Sequence, residues 1–156
     1  ADILPALEKA AQHNPSLRLK IIADFTLVSD KLEILPIAWS EHTEATELAS
    51  AHIAVAPLRD DNWTKGKCAL KVLQYMASGL PTISSRTGVN AEAIIHGTTG
   101  YFASSEGEWI DHILARASNE PLRVSMGKSA QMAVQPYELN HVFSLILSHV
   151  NELYRN

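Results

Sequence analysis

What is scarce or missing bounds what this chain can be. It has one cysteine, Cys68, so no internal disulfide can form, and the setting it suits is a reducing compartment. No apolar run approaches the roughly 20 residues of a membrane-spanning helix, and no charged-then-apolar leader is present. The expectation is a cytoplasmic chain. Seven histidines form no H-x-x-x-H pair and have no cysteine partner, so no metal site is expected. G-x-G-x-x-G and G-x-x-x-x-G-K-[ST] are both missing, which argues against a dinucleotide fingerprint and a P-loop. No G-x-S-x-G surrounds Ser84 or Ser85, so a hydrolase elbow has no support. The formal charge of −4 speaks against a general nucleic-acid surface.

What is present is enough for one core. With 156 residues, 46% of them hydrophobic, and no repeat or dividing linker, a single domain spanning 1–156 is expected. Residues 2–13 read as a helix with Pro5 in its first turn, stopped by Asn14-Pro15. Leu17 to Phe25 and His52 to Leu58 read as buried strands, and Leu32 to Trp39 as an edge strand because Pro36 interrupts it. Ser40 is placed to cap a helix over Glu41 to Ser50. Arg59 to Thr64 is a loop, Tyr101 to Ala103 a strand, and 106–118, 120–133 and 139–154 are helices. The last of these gathers Val142, Phe143, Ile146, Val150 and Leu153 on one face. Strands alternating with helices imply a doubly wound α/β fold with a mostly parallel sheet. Ligands of such sheets bind at the carboxyl ends of the strands.

The chain is organised around Lys65 to Gly100. Cys68 to Ala77 places Ala69, Val72, Leu73 and Met76 on one apolar helical face, with Cys68 read as a small buried residue. Ser78-Gly79-Leu80-Pro81 ends that helix, with Gly79 at the left-handed cap position. A short strand follows at Thr82 to Ser85, then a glycine loop at Gly88. Lys65, Lys67 and Lys71 crowd the helix start, where each positive charge is unfavourable by roughly 0.3–1 kcal/mol. An anion held between those lysines and the free backbone N–H groups would remove the conflict.

The order of these pieces resembles the C-terminal half of the GT-B glycosyltransferases, in the large family 4 group. The resemblance is carried by Ala56-Pro57, by Gln74-Tyr75-Met76-Ala77-Ser78-Gly79-Leu80-Pro81-Thr82-Ile83-Ser84-Ser85, and by Gly88 through Tyr101. It implies a Rossmann-like domain that binds the donor of a retaining glycosyltransferase, a nucleoside diphosphate-sugar, with no cofactor. The implied partners are that nucleotide-sugar and an N-terminal acceptor-binding domain in a longer chain, through which a peripheral link to a membrane could run. No nucleic acid is implied.

Position by position, the resemblance makes Trp39 the base contact and Gln74 the ribose contact. The lysine-bearing helix start is the expected diphosphate site, at Gly66, Lys67 and Lys71. The donor loop then comprises Asp60, Asp61, Gly88, Val89, Asn90 and Glu92. Two family carboxylates are replaced: Gln74 stands for the ribose Glu, and Gly66 for the Glu that touches the donor sugar. Asp60 or Asp61 is left to reach the sugar instead, and the catalytic residue stays unassigned. The family's Arg/Lys pair for the diphosphate normally precedes the first helix, and Lys67 and Lys71 are its expected substitutes. The missing carboxylate keeps a second reading open, a non-catalytic nucleotide-binding or assembly module. In the resembled fold a further strand precedes the first helix and lies between the Leu17 and His52 strands. The expectation here is that it is missing, or that those two strands pair directly.

Overall fold

The computed structural model describes residues 3–154. Asp2, the expected first residue of the opening helix, lies outside them. Helix α1 (Leu4–His13) carries Pro5 in its first turn, where a missing N–H breaks no helical bond. Strands β1 (Arg18–Ile22) and β2 (Glu33–Ile37) follow, then α2 (Glu44–Ala49) and β3 (Ala54–Ala56). A four-residue helix α3 (Asn62–Lys65) interrupts the expected loop before α4 (Leu70–Ala77) and β4 (Thr82–Ser84). The chain continues through α5 (Asn90–Ala93), β5 (Gly100–Phe102), α6 (Glu106–Ala117) and α7 (Glu120–Val134). It ends with a 3₁₀ turn at Gln135–Tyr137 and α8 (Leu139–Leu153).

Every strand pair is parallel, as the βαβ reading requires. β2 is an edge strand, and Pro36, which has no N–H to give a ladder, sits on it opposite Ile21. The strands do not form one sheet, however. β1 and β2 pair with each other, while β3, β4 and β5 form a second sheet in that order. The expectation that β1 and β3 are both interior is therefore corrected, because each is paired on one side only. Their direct pairing, the other expected outcome, does not occur either. A slot of about 540 Å³ separates them, lined by Leu19 and Ile22 from β1 and by Ile53 and Val55 beside or within β3. Leu7 and Ile113 close one face, and Leu48, Tyr75 and Leu80 the other.

The core is layered about the three-stranded sheet. On one face Ile83 meets Ala6 and Ala10 of α1 and Trp109 and Ile113 of α6. On the other, Val72 and Met76 of α4 pack against Ala130 and Val134 of α7. The expected apolar face of α4 is thus the buried one, but the helix starts two residues later than the sequence suggested. Ala69 adopts a left-handed conformation (φ 55°), which breaks the helical path before Leu70. Cys68 falls outside the helix and is exposed, contrary to its expected burial; Ala69 takes the buried place.

α2 is likewise shorter than expected. Ser40 contributes its carbonyl to the N–H groups of Thr43 and Glu44, forming a turn, and no side chain caps the helix. At the far end of α4, Gly79 takes the left-handed conformation (φ 73°) expected of a terminating glycine. α6 has a full capping box, Ser105 with Glu108. α8 keeps its apolar stripe but buries none of it.

Candidate functional site

Parallel strands deliver their carboxyl ends to one edge, and the loops there carry the residues singled out from the sequence. Trp39 follows β2, Leu58 to Cys68 follow β3, and Ser85 to Val89 follow β4. The loops are tied together. Ser85 N–H donates to the Ala56 carbonyl (3.2 Å) and Ser85 Oγ accepts from Leu58 N–H (3.1 Å). Buried Asn90 donates to Ser84 Oγ (3.0 Å), fixing the glycine loop to the end of β4. Gly88 has φ 55°, and a Cβ there would meet the Lys65 backbone at 3.2 Å. A side chain at that position would be strained by the backbone and would press on Lys65. Val89 packs against the core, and Glu92 is exposed in the first turn of α5.

The residue that gathers the site is Glu44, which the sequence did not single out within the Glu41 to Ser50 helix. Its Oε1 accepts from Lys71 Nζ (2.7 Å) and Trp39 Nε1 (3.1 Å), and its Oε2 from Gln74 Nε2 (3.0 Å). Three of the expected contact residues, from different parts of the chain, therefore meet on one carboxylate. The Lys71 bond, helped by those of Trp39 and Gln74, holds the Glu44 pKa below its ordinary value. Burial, with the Glu44 charge adding, raises that of Tyr75. Gln74 Oε1 is buried with no hydrogen-bond partner. The only local sequence signal for this cluster was the five-residue step from Trp39 to Glu44; the lysine and glutamine lie 27 and 30 residues further on.

The remaining expected residues sit along the β3–α4 connection. Asp61 Oδ1 accepts from Thr64 N–H (2.7 Å) and caps α3, and that backbone bond lowers the Asp61 pKa. Asp60 pairs with Lys65 (3.0 Å), both well exposed. Gly66 ends α3 and donates its N–H to the Trp63 carbonyl (3.3 Å); Lys67 N–H donates to the Thr64 carbonyl (3.1 Å). Lys67 precedes α4 and so shares no helical face with Lys71 and Gln74. Lys71 is in the first turn of α4, which has no side-chain cap and no acidic residue of its own. Among the described residues no group of three or more His, Cys, Asp or Glu side chains could hold a metal ion. None of the described helices is long and apolar enough to cross a membrane.

Parallel strands wound on both faces by helices define a Rossmann-like domain, with polar and charged side chains gathered at the carboxyl ends of its strands. Residues 4–119 match the glycosyl transferases group 1 family, and the chain belongs to it. Among curated relatives it is similar to D-inositol 3-phosphate glycosyltransferase of Pseudarthrobacter chlorophenolicus, with 26% identity over 118 residues. That match covers 74% of this chain and 26% of the relative.

Among solved structures it is similar to the C-terminal domain of the group 1 glycosyl transferase LpcC from Francisella tularensis. The TM-score is 0.68 at 19% identity, covering 86% of this chain and 76% of that one. It is similar also to S. aureus TarM, solved with fondaparinux, alpha-GlcNAc-glycerol and UDP. There the TM-score is 0.74 at 16% identity, covering 94% of this chain and 32% of that one. Anabaena HepE in complex with UDP gives 0.72 at 14% identity, over 96% and 45% of the two chains. These likenesses establish a GT-B type of fold, and the chain spans about a quarter of the curated relative's length.

Proposed function

We propose that this chain is the donor-binding domain of a retaining glycosyltransferase and binds a nucleoside diphosphate-sugar at the carboxyl edge of its strands. The observation that carries the reading is the convergence of Trp39, Lys71 and Gln74 on Glu44 at that edge. TarM and HepE, whose fold this chain shares, were solved with UDP, which supports the ligand class. Trp39, with its ring half exposed, offers a surface to the base, and Gln74 a hydrogen-bonding group to the ribose. The diphosphate lies at the Gly66–Lys71 connection and the uncapped start of α4. Lys71 spends one N–H on Glu44, and an ammonium group has three, so two remain for phosphate oxygens.

The role of these groups in transfer is electrostatic: lysines and helix N–H groups stabilise the charge that develops on the leaving diphosphate. The acceptor half of the cleft belongs to a further domain, so this chain alone turns over no donor. Holding both reactants in place is worth up to about 7–11 kcal/mol, and half a cleft cannot supply it.

Calorimetric titration with UDP, GDP and ADP tests the binding reading. Charge-assisted bonds to phosphate are worth roughly 1.5–3 kcal/mol each. The Lys71–Glu44 pair, worth about 0–1 kcal/mol, uses one ammonium donor and leaves two for phosphate. Lys71→Ala should weaken the best diphosphate by about 10-fold or more. Gln74→Ala should weaken it less, and equally for mono- and diphosphate. Equal affinity of wild type and Lys71→Ala would remove the lysine from the site.

A further inference from the structure

We infer that Glu44 is the specificity-determining carboxylate of the site, accepting a ribose hydroxyl at Oε2 and so selecting ribonucleotides over their deoxy counterparts. This rests on the nucleotide reading above and names which side chain reads the sugar. A carboxylate oxygen accepts about two hydrogen bonds. Glu44 Oε1 already takes two, from Lys71 and Trp39, while Oε2 takes one, from Gln74. One acceptor position is therefore left, on Oε2, and the side chain is 17% exposed, so a ligand can reach it.

The chemistry of that position is narrow. A carboxylate kept ionised by Lys71 repels a phosphate and attracts a hydroxyl. Lys71 does the reverse with its two remaining donors. A carboxylate and an ammonium 2.7 Å apart thus match a ligand that carries hydroxyls and a phosphate on one sugar ring. Gln74 alone would serve poorly as the hydroxyl acceptor. Its amide N–H is directed at Glu44, and its Oε1 is buried rather than presented to the opening. In effect the negative charge that α4 lacks at Gln74 is supplied from α2. A ligand hydroxyl deprived of that acceptor loses a charge-assisted bond, the kind of loss on which discrimination depends.

The test titrates the 156-residue chain with UDP, GDP and ADP, then with the 2′,3′-dideoxy form of whichever binds tightest. Wild type should prefer the ribonucleotide by about 10-fold or more. Glu44→Gln should bring that preference below about 3-fold while leaving dideoxy affinity nearly unchanged. The double variant Glu44→Gln/Gln74→Glu returns the carboxylate to α4 and should restore the preference. It also keeps the proposal open to refutation should the single variant fail to fold. An unchanged preference in Glu44→Gln would overturn the inference while leaving nucleotide binding in place. Equal weakening of both ligands would overturn it too, reducing Glu44 to a prop for its neighbours. Wild type that binds no ribonucleotide would sink the donor-binding reading itself, and this inference with it.

Discussion

Two histidines lie beside β5 and meet different partners. His96 Nδ1 accepts from Phe102 N–H (3.1 Å), and His112 Nδ1 faces Arg116 Nη1 (3.2 Å), which can only donate. Arg116 is buried and its guanidinium lies 3.6 Å from the centre of the Tyr101 ring, so its charge cannot move aside. Burial first, then the charges of Arg116 and His96, lower the His112 pKa below its ordinary 6.5; Glu108 opposes them. The sign follows. Below about pH 6.5 the unfolded imidazole takes up a proton that the folded one refuses, so stability falls as pH drops through that window. Above it the group is neutral in both states and contributes no slope. Replacing His112 by Gln should flatten the pH dependence of Tm between pH 5 and pH 7 (a window set by the ordinary pKa). An identical slope in the variant would show that other groups set it.

At this scale the sequence was a partial guide. Gln74 and Lys71 come together on Glu44, as a three-residue spacing on one helix allows. Glu44 was unreadable because its partners lie on another helix, brought close only by the strand order. Cys68 and Lys67 were misplaced for one reason: a left-handed alanine has no sequence signature, whereas a left-handed glycine has one.

At the scale of elements, α4 is the piece on which site and core both depend. Met76 and Val72 are almost fully enclosed while Lys71, three residues before Gln74, faces the opening. Met76→Ala should lower stability by about 2–5 kcal/mol, read as a reduced denaturation midpoint at unchanged slope. The opposite face of the contact is set by Gly127 of α7, where a Cβ would stand 2.0 Å from the Gly79 carbonyl oxygen. Gly127→Ala must push α7 away from the end of α4, at roughly 1–3 kcal/mol. A variant as stable as wild type would mean the helices can separate without loss. Existence and type of the long helices were legible from apolar periodicity and from Pro5 at the start of α1. α3 was not, since a four-residue helix has no period to detect, and Asp61 as its cap looked like an ordinary loop carboxylate.

The whole molecule leaves two apolar features uncovered. α8 exposes Phe143, Ile146 and Leu147 along with most of its stripe, and no residue of the helix is buried. Contiguous apolar surface of this kind drives association in water. Sedimentation should therefore show self-association that rises with concentration. The double substitution Phe143→Ser/Ile146→Ser should reduce it with little change in Tm, because neither side chain contributes to the folded core. Association unaffected by both changes would move the contact elsewhere, and the slot between β1 and β3, with its unpaired strand edges, is the other candidate. The α/β class and parallel strands could be read from the alternation of elements. The division into two sheets could not, because hydrophobic periodicity reports which residues are buried and not which strand lies beside which.

That division changes what Glu44 is. α2 is anchored to the β1–β2 half by Lys20, whose Nζ reaches Glu47 Oε2 (2.8 Å) and Ser50 Oγ (2.6 Å). Lys71 and Gln74 travel with α4, which is packed on the β3–β4–β5 half. The bonds from Glu44 thus add a polar clasp to the packing of Leu48 on Ala54 and Leu80, between two halves that no strand-to-strand hydrogen bond joins among the described residues. A nucleotide spanning Glu44 and Lys71 would act as a splint across the same gap. Tight binding and internal stiffness then become one property, and amide exchange along β1, remote from the ligand, should slow when the site fills.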